Sequence, residues 1–230
     1  MIDIIDGALF QRMIIHASAS INAQKQAINE LNVFPVPDGD TGTNMSLTIQ
    51  SVVSNVANLP IGASGADIRK AITTGALMGA RGNSGVITSQ ILRGLCEGTV
   101  GWEGMTAASL ATAFEKAVEV AFQAVRKPVE GTILTVSRLA AARAAGHARE
   151  DASFEGVLEA AIQEGQQALA HTIDLNPVLK KAGVVDAGGK GFLVILQGML
   201  DEVRGLPMPE DTGEETAPND KADFEAVNVE

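Results

Sequence analysis

The sequence contains no tyrosine, and its one tryptophan and seven phenylalanines make up only 3% of the 230 residues. Hydrophobic residues nevertheless account for 46% of the chain, and most of them are Ala, Val, Ile and Leu. A chain of this length can bury a substantial core, as one large domain or as two small ones. Small aliphatic side chains in such a core favour closely packed helices.

The sequence is also poor in cysteine and in long apolar runs. Its single cysteine, Cys96, excludes an intramolecular disulfide and fits a reducing compartment. Because Leu92 and Leu95 flank it, Cys96 is predicted to be a buried thiol rather than a nucleophile. No apolar run reaches membrane-spanning length, and the N-terminus lacks the basic start and apolar core of a signal peptide. We therefore expect a cytoplasmic protein without an integral membrane segment.

Acidic residues outnumber basic ones, and the formal net charge is −11. Eight acidic residues and one lysine lie between Pro209 and Glu230, so this segment carries −7 and the rest of the chain −4. A nucleic-acid-binding protein requires a basic patch, and the sequence shows none, so we expect no nucleic acid partner. Residues 207–230 are predicted to form an acidic, disordered tail or linker.

Apolar residues recur at three- and four-residue steps along the rest of the chain, whereas strand-like alternation is nearly absent. The fold class is therefore predicted to be all-α. Ser18 and Ser20 are expected to interrupt the first amphipathic pattern and to divide it into two helices. Thr106 is predicted to cap a later helix that Pro128 ends, and Pro60 is predicted to end an earlier one. Six of the predicted helices span residues 44–58, 66–78, 106–125, 132–148, 153–173 and 191–204.

The most informative stretch is Asn32–Met45, which reads Asn-Val-Phe-Pro-Val-Pro-Asp-Gly-Asp-Thr-Gly-Thr-Asn-Met. Pro35 and Pro37 prevent the preceding helix from continuing. Asp38 and Asp40 follow, and carboxylates this close repel each other unless a cation is present. Mg²⁺ takes such oxygen ligands and keeps waters or phosphate oxygens as its other ligands. Asp38 and Asp40 are therefore predicted to be metal ligands and catalytic residues.

The residues after the acidic pair extend this prediction. Thr41, Thr43 and Asn44 are able to cap the next helix, whose free N–H groups would form an anion site. A metal beside such a site suits a nucleoside triphosphate. A plain surface turn is an alternative, because Pro-Asp and Asp-Gly pairs are common in turns. An EF-hand loop is excluded, because the glutamate that it requires would fall at Ile49 if Asp38 were its first ligand.

A second motif, Gly79–Gly85, reads Gly-Ala-Arg-Gly-Asn-Ser-Gly and leads into a helix. Its glycines allow the backbone to approach a ligand closely, and Ser84 with the helix N–H groups could bind phosphate oxygens. It is not a P-loop, because no Lys-Ser or Lys-Thr pair follows the glycines. Taken alone, such a stretch is more often a turn between two helices.

The string Asn32–Met45 resembles the signature of the ATP-binding subunits of bacterial fatty acid kinases. Their N-terminal domain is similar to the nucleotide-binding L domain of dihydroxyacetone kinases, and the resemblance covers residues 3–206. It implies a nucleotide-binding kinase domain over residues 1–206. It also implies an all-helical barrel of about eight antiparallel helices, with Mg²⁺ and ATP or ADP at one rim.

The resemblance assigns site residues to several segments. The dihydroxyacetone kinase pattern has a third aspartate five residues before the acidic pair, where this chain has Val33. The amide oxygen of Asn32 could replace that metal ligand, and a helix C-cap is its alternative role. Asp186 is expected to bond a ribose or a backbone group. The implied nucleotide-binding residues are Thr41, Thr43, Asn44, Met45, Gly82, Asn83, Ser84, Gly85, Thr132, Ile133, Asp186 and Gly188.

The implied reaction is phosphoryl transfer from ATP to the carboxylate of a fatty acid that a separate carrier protein presents. A fatty acid is already ionised at pH 7, so this acceptor needs no general base. Two alternatives stay open, a dihydroxyacetone kinase nucleotide subunit and a module that binds nucleotide without turnover. A homodimer is a further expected assembly.

Overall fold

The computed structural model describes residues 4–101, 104–150 and 153–210. These residues form nine helices, and their only β-type pairing is a single bridge between Ile5 and Met105. The predicted all-α fold class is confirmed. The acidic segment from residue 211 onward lies outside the described residues, so its predicted disorder stays a prediction. The helices are α1 (Gly7–Asn29), α2 (Thr41–Ala57), α3 (Gly65–Gly79), α4 (Gly82–Glu97), α5 (Ala107–Ala124), α6 (Ile133–Glu150), α7 (Phe154–Leu175), α8 (Pro177–Ala182) and α9 (Ala187–Val203).

Side chains at the helix starts explain several of these boundaries. Asp6, Ser64 and Ser153 each accept a hydrogen bond from a backbone N–H in the first turn of α1, α3 and α7, respectively. Thr106 forms a reciprocal capping box with Ser109 at the start of α5, as its predicted cap role requires. These polar side chains satisfy N–H groups that the helix cannot pair internally.

The long helices close into a ring. Each long helix from α1 to α7 packs against the next, and α9 packs against both α7 and α1. Aliphatic side chains from all the long helices fill the interior. An apolar cavity of about 10 Å³ remains between α4, α5, α6, α7 and α9. That volume holds about one water molecule, so this cavity has no room for an acyl chain.

The predicted break at Ser18 and Ser20 is wrong, because α1 runs without interruption through both residues. Both side chains are buried. A Cβ atom placed on Gly198 of α9 would lie 2.6 Å from Ser20 Oγ and 2.7 Å from Ala17 Cα. Ser20 therefore acts as a small residue that lets α1 and α9 pack closely, which a sequence pattern alone does not reveal.

Two glycines within helices offer a matched test of this close packing. A Cβ atom on Gly94 of α4 would lie 2.6 Å from Ala117 Cα of α5, whereas the nearest atom to one on Gly146 of α6 is 3.9 Å away. Gly94→Ala is expected to lower the free energy of unfolding by about 1–3 kcal/mol, because backbone must move. Gly146→Ala should raise it by about 0.5–1 kcal/mol. Urea denaturation measures both changes in the free energy of unfolding. Equal effects of the two substitutions would contradict the close packing at Gly94.

Candidate nucleotide and metal site

Helix N-termini converge at one end of the barrel. A Cβ atom on Gly82, at the start of α4, would lie 2.4 Å from Asn44 Nδ2 in the first turn of α2. A Cβ atom on Gly191, near the start of α9, would lie 2.5 Å from the sulfur of Met45, also in α2. The first turns of α2, α4 and α9 are therefore in contact. We call this end of the barrel the rim.

The start of α6 belongs to the same rim. A Cβ atom on Gly188, in the first turn of α9, would lie 3.3 Å from Ile133 Cβ, the first residue of α6. Thr132 precedes α6, and its hydroxyl oxygen accepts a hydrogen bond of 3.4 Å from Leu134 N–H. The structure thus brings together at one rim the segments that the sequence separates by about 150 residues.

The acidic loop lies between α1 and α2. Its Phe34–Pro35 peptide bond is cis, and Gly39 adopts a left-handed conformation with φ of 68°. Asp38 is exposed and Asp40 half-buried. Partial desolvation of its carboxyl group, together with the hydrogen bond and charge of Asp40, raises the pKa of Asp38. The two carboxyl groups are therefore close enough to compete for one proton.

The start of α2 is capped differently from the prediction. Thr41 and Thr43 lie inside the first turn, and Asp40 at the cap position makes no side-chain cap hydrogen bond. The N–H groups of Thr41 and Thr43 instead donate to the amide oxygens of Asn32 and Asn29, over 3.0 and 3.1 Å. The expectation that Thr41, Thr43 or Asn44 caps α2 is thus wrong, because residues from the end of α1 take that role.

The start of α4 has no such partners. Arg81 is at its cap position, and no side chain caps the helix. Gly82 has φ of 55°, a left-handed conformation that a residue with a Cβ adopts at a cost. Thr48 of α2 supports the loop, since its hydroxyl oxygen accepts a hydrogen bond of 3.3 Å from Arg81 N–H. The N–H groups of Gly82, Asn83 and Ser84 thus stand in an uncapped first turn, which is the arrangement that binds anions.

Asp186 connects three helices at the rim. Its carboxylate accepts a hydrogen bond of 2.7 Å from Gly189 N–H in α9 and another from Ile133 N–H in α6. Its own N–H donates to the hydroxyl of Thr172 in α7, over 3.1 Å. The residue is only 5% exposed. These contacts are the backbone bonds that were one of its two predicted roles.

Burial of the Asp186 carboxyl group raises its pKa from 3.8 to about 6, although the hydrogen bonds from Gly189 and Ile133 oppose this shift. Between these two values the folded protein binds more protons than the unfolded chain, so stability falls as the pH rises through this range. We expect Asp186→Asn to remove this pH-dependent decrease in the free energy of unfolding, which is on the order of 3 kcal/mol. Urea denaturation of the wild type and of Asp186→Asn between pH 4 and 7 measures this effect. A difference in the free energy of unfolding that does not change with pH would refute it.

The donor set at the acidic loop fits Mg²⁺. Two adjacent carboxyl groups that compete for a proton gain from a hard cation between them. Within the described ranges, no group of three or more His, Cys, Asp or Glu side chains is placed to hold a metal ion. Asp38 and Asp40 would therefore leave the other positions to waters or phosphate oxygens, which is how Mg²⁺ is commonly held.

Other predicted residues take supporting positions. Met45 is fully buried against Gly191, and Ile133 is buried, so their side chains form walls of the rim. The ligand roles of Thr132, Gly188 and the other predicted site residues stay predictions. Sequence reasoning missed Asn29 and Thr48, which hold the two loops. The three-residue spacing of Asn29 and Asn32 at the end of a helix was the available signal.

The sequence matches a known domain family and several known proteins. A family model described as the DAK2 domain matches residues 35–201. An uncharacterized protein of Staphylococcus haemolyticus is 45% identical over 205 residues, which are 89% of this chain and 37% of that protein. Protein YloV of Bacillus subtilis is 41% identical over 206 residues, 90% of this chain and 37% of that protein. The chain thus spans about two fifths of the length of these relatives.

A solved structure shows the same fold. Dihydroxyacetone kinase from C. freundii, in complex with AMP-PNP and Mg²⁺, superposes with a TM-score of 0.61 at 16% identity. The match covers 84% of this chain and 34% of that one. Its native form gives a TM-score of 0.58. The predicted helical barrel is therefore confirmed. None of the described helices combines the length and apolar character that crossing a bilayer requires.

Proposed function

Because the chain belongs to the DAK2 domain family, we propose that it is the nucleotide-binding domain of a kinase that phosphorylates a fatty acid carboxylate held by a carrier protein. The observation that carries this proposal is the position of the acidic loop beside the uncapped start of α4. Carboxylates for a metal and free N–H groups for phosphate thus occupy one rim, which is the combination that a bound Mg-nucleotide requires.

The chain's own residues would position the phosphates. The N–H groups of Gly82, Asn83 and Ser84 and the Ser84 hydroxyl would donate to phosphate oxygens at the start of α4. Asp38 and Asp40 would hold Mg²⁺, which would supply positive charge against the phosphates. Asp186 would keep the starts of α6 and α9 in register, so that Ile133 and Thr132 could line the nucleoside.

Two features favour a fatty acid as the acceptor. The string from Asn32 to Met45 resembles fatty acid kinases more than dihydroxyacetone kinases, which have a further aspartate at the position of Val33. The cavity between α4, α5, α6, α7 and α9 is too small for an acyl chain, which agrees with a lipid chain that stays on its carrier. A carboxylate acceptor is ionised at pH 7 and needs no general base, whereas a hydroxyl acceptor needs activation.

The alternative acceptor is dihydroxyacetone, and the superposition on dihydroxyacetone kinase favours it. A third reading is a module that binds nucleotide without turnover. The test incubates the chain with Mg-ATP and either a fatty-acid-loaded carrier, dihydroxyacetone or no acceptor. ADP formation is followed in each mixture, and hydroxylamine traps acyl phosphate.

We expect Mg-ATP to raise the thermal midpoint, because a ligand of the folded state stabilises it by mass action. ADP should form above background only with the loaded carrier. Turnover by this chain alone should be slow, because alignment of acceptor and phosphate supplies much of the catalysis. No change in the thermal midpoint at millimolar Mg-ATP would refute the nucleotide site, and ADP formation with dihydroxyacetone alone would support the alternative.

A further inference from the structure

Two asparagines at the end of α1 hold the first turn of α2 and the acidic loop. Asn29 Oδ1 accepts a hydrogen bond of 3.1 Å from Thr43 N–H, and Asn29 Nδ2 donates to Thr43 Oγ1 over 2.9 Å. Asn32 Oδ1 accepts hydrogen bonds from the N–H group and from the hydroxyl of Thr41. Asn32 Nδ2 donates to the carbonyl oxygen of Val36 over 2.7 Å. Each side-chain amide thus makes hydrogen bonds through both its oxygen and its nitrogen.

We propose that Asn29 and Asn32 are positioning residues that preset the Asp38–Asp40 loop for the metal before any ligand binds. This inference rests on the proposed function, since it assigns these two residues a role in metal affinity. We call the pair the amide clamp.

The clamp fixes the loop at both of its ends and in its middle. Asn32 lies just after the end of α1 and Thr41 begins α2, and these two residues are bonded to each other. The bond from Asn32 to Val36 ties the middle of the loop to the same side chain. Every hydrogen bond of the Asn32 side chain therefore restricts the segment that carries the two carboxylates.

The backbone beneath the clamp has no room to move. A Cβ atom on Gly42, between the two clamped threonines, would lie 2.1 Å from the carbonyl oxygen of Lys25 in α1. The helices α1 and α2 thus touch backbone to backbone, and Asn29 and Asn32 add side-chain bonds on the same face. The result is a rigid base of two helices from which the acidic loop projects.

This arrangement separates the two binding tasks at the rim. Because Asn29 and Asn32 occupy the N–H groups of Thr43 and Thr41, the start of α2 offers few free donors to an anion. The uncapped start of α4 keeps its donors. The α2 side therefore serves the metal and the α4 side serves phosphate. Loss of the clamp should weaken metal binding selectively, because two repelling carboxylates would then have to be brought together at each binding event.

The clamp also gives Asn32 a role different from direct ligation. Its amide oxygen accepts two hydrogen bonds from Thr41, so a metal would have to displace them. Asn29 makes no contact with either carboxylate, yet the clamp predicts that it too affects metal affinity.

The test compares Asn29→Ala and Asn32→Ala with Asn58→Ala. Asn58 lies at the other end of α2 and donates to Ser54 O over 2.9 Å, so its removal costs a similar bond away from the rim. Amide hydrogen exchange of Thr41 and Thr43 is measured by NMR in metal-free protein. Calorimetry gives the affinity for Mg²⁺ alone, and for ADP with and without Mg²⁺.

We expect Asn29→Ala to speed exchange at Thr43 and Asn32→Ala to speed it at Thr41. Each should weaken Mg²⁺ binding by about 10–100-fold, the range typical of residues that orient metal ligands. Metal-free ADP affinity should be unchanged in both, and Asn58→Ala should match the wild type throughout. Unchanged Mg²⁺ affinity in Asn29→Ala, while the wild type binds Mg²⁺ normally, would overturn the clamp.

Asn32→Asp separates positioning from ligation. Aspartate keeps the acceptor for Thr41 but loses the donor to Val36, so the clamp predicts Mg²⁺ affinity no tighter than wild type at high ionic strength, where the added charge is screened. A tighter affinity under that condition would show that position 32 ligates the metal and would overturn the inference. Wild-type protein that binds neither Mg²⁺ nor ADP would instead refute the proposed function, and the exchange data would still report whether the clamp holds α2.

Discussion

Asp38→Ala and Asp40→Ala are each expected to weaken Mg²⁺-dependent nucleotide binding by about 100-fold or more, because each removes one of the two proposed carboxylate ligands. Folding should survive, since both residues lie on an exposed loop and their removal relieves a repulsion. ADP binding without Mg²⁺ should change little, because the start of α4 is untouched. Calorimetry and circular dichroism measure the two effects.

Asp174→Ala is the matched control for charge. Asp174 is an exposed carboxylate on α7 whose recorded partner is His171, at 3.5 Å. Asp174→Ala removes the same charge as the loop variants but should leave Mg²⁺ affinity unchanged. In Asp40→Ala the raised pKa of Asp38 should also fall, which carboxyl NMR detects. Equal losses in all three variants would mean that Asp38 and Asp40 act through net charge and not as ligands.

Gly82→Ala is expected to weaken nucleotide binding whether or not Mg²⁺ is present. The new Cβ atom would lie 2.4 Å from Asn44 Nδ2, so the Asn44 side chain or the start of α4 must shift. Alanine at φ of 55° adds strain on the order of 1–2 kcal/mol. Because the proposed phosphate donors lie in this turn, we expect at least a roughly 10-fold loss of metal-free ADP affinity, or about 1.4 kcal/mol.

Gly62→Ala controls for the strain in this experiment. Gly62 has φ of 81°, but a Cβ atom there would meet nothing within 4 Å. Gly62→Ala should lower the thermal midpoint through backbone strain alone. It should leave ADP affinity at the wild-type value. If Gly82→Ala kept full metal-free affinity, the phosphate site would have to lie elsewhere. The acidic-loop and Gly82 variants together thus distinguish metal binding from phosphate binding.

The helical fold could be predicted from local features of the sequence. Apolar periodicity and the cap at Thr106 depend on neighbouring residues only, and the predicted helices agree with α2, α3, α5, α6 and α7 to within a few residues. The exception is α1, where Ser18 and Ser20 look like a break. The burial of Ser20 against α9 depends on a helix almost 180 residues later, which no local pattern reports.

The sequence by itself also determined which residue types carry the candidate chemistry. The acidic pair, the glycine-rich turn and the signature around them are contiguous, so their presence and spacing are readable directly. Only the tertiary structure decided how they are used. Closure of the ring brings α2, α4, α6 and α9 to one rim, gives the caps of α2 to Asn29 and Asn32, and buries Asp186 between two helix starts. These roles depend on which backbone groups find partners across helices, and hydrogen bonds between distant segments exist only once the barrel is closed.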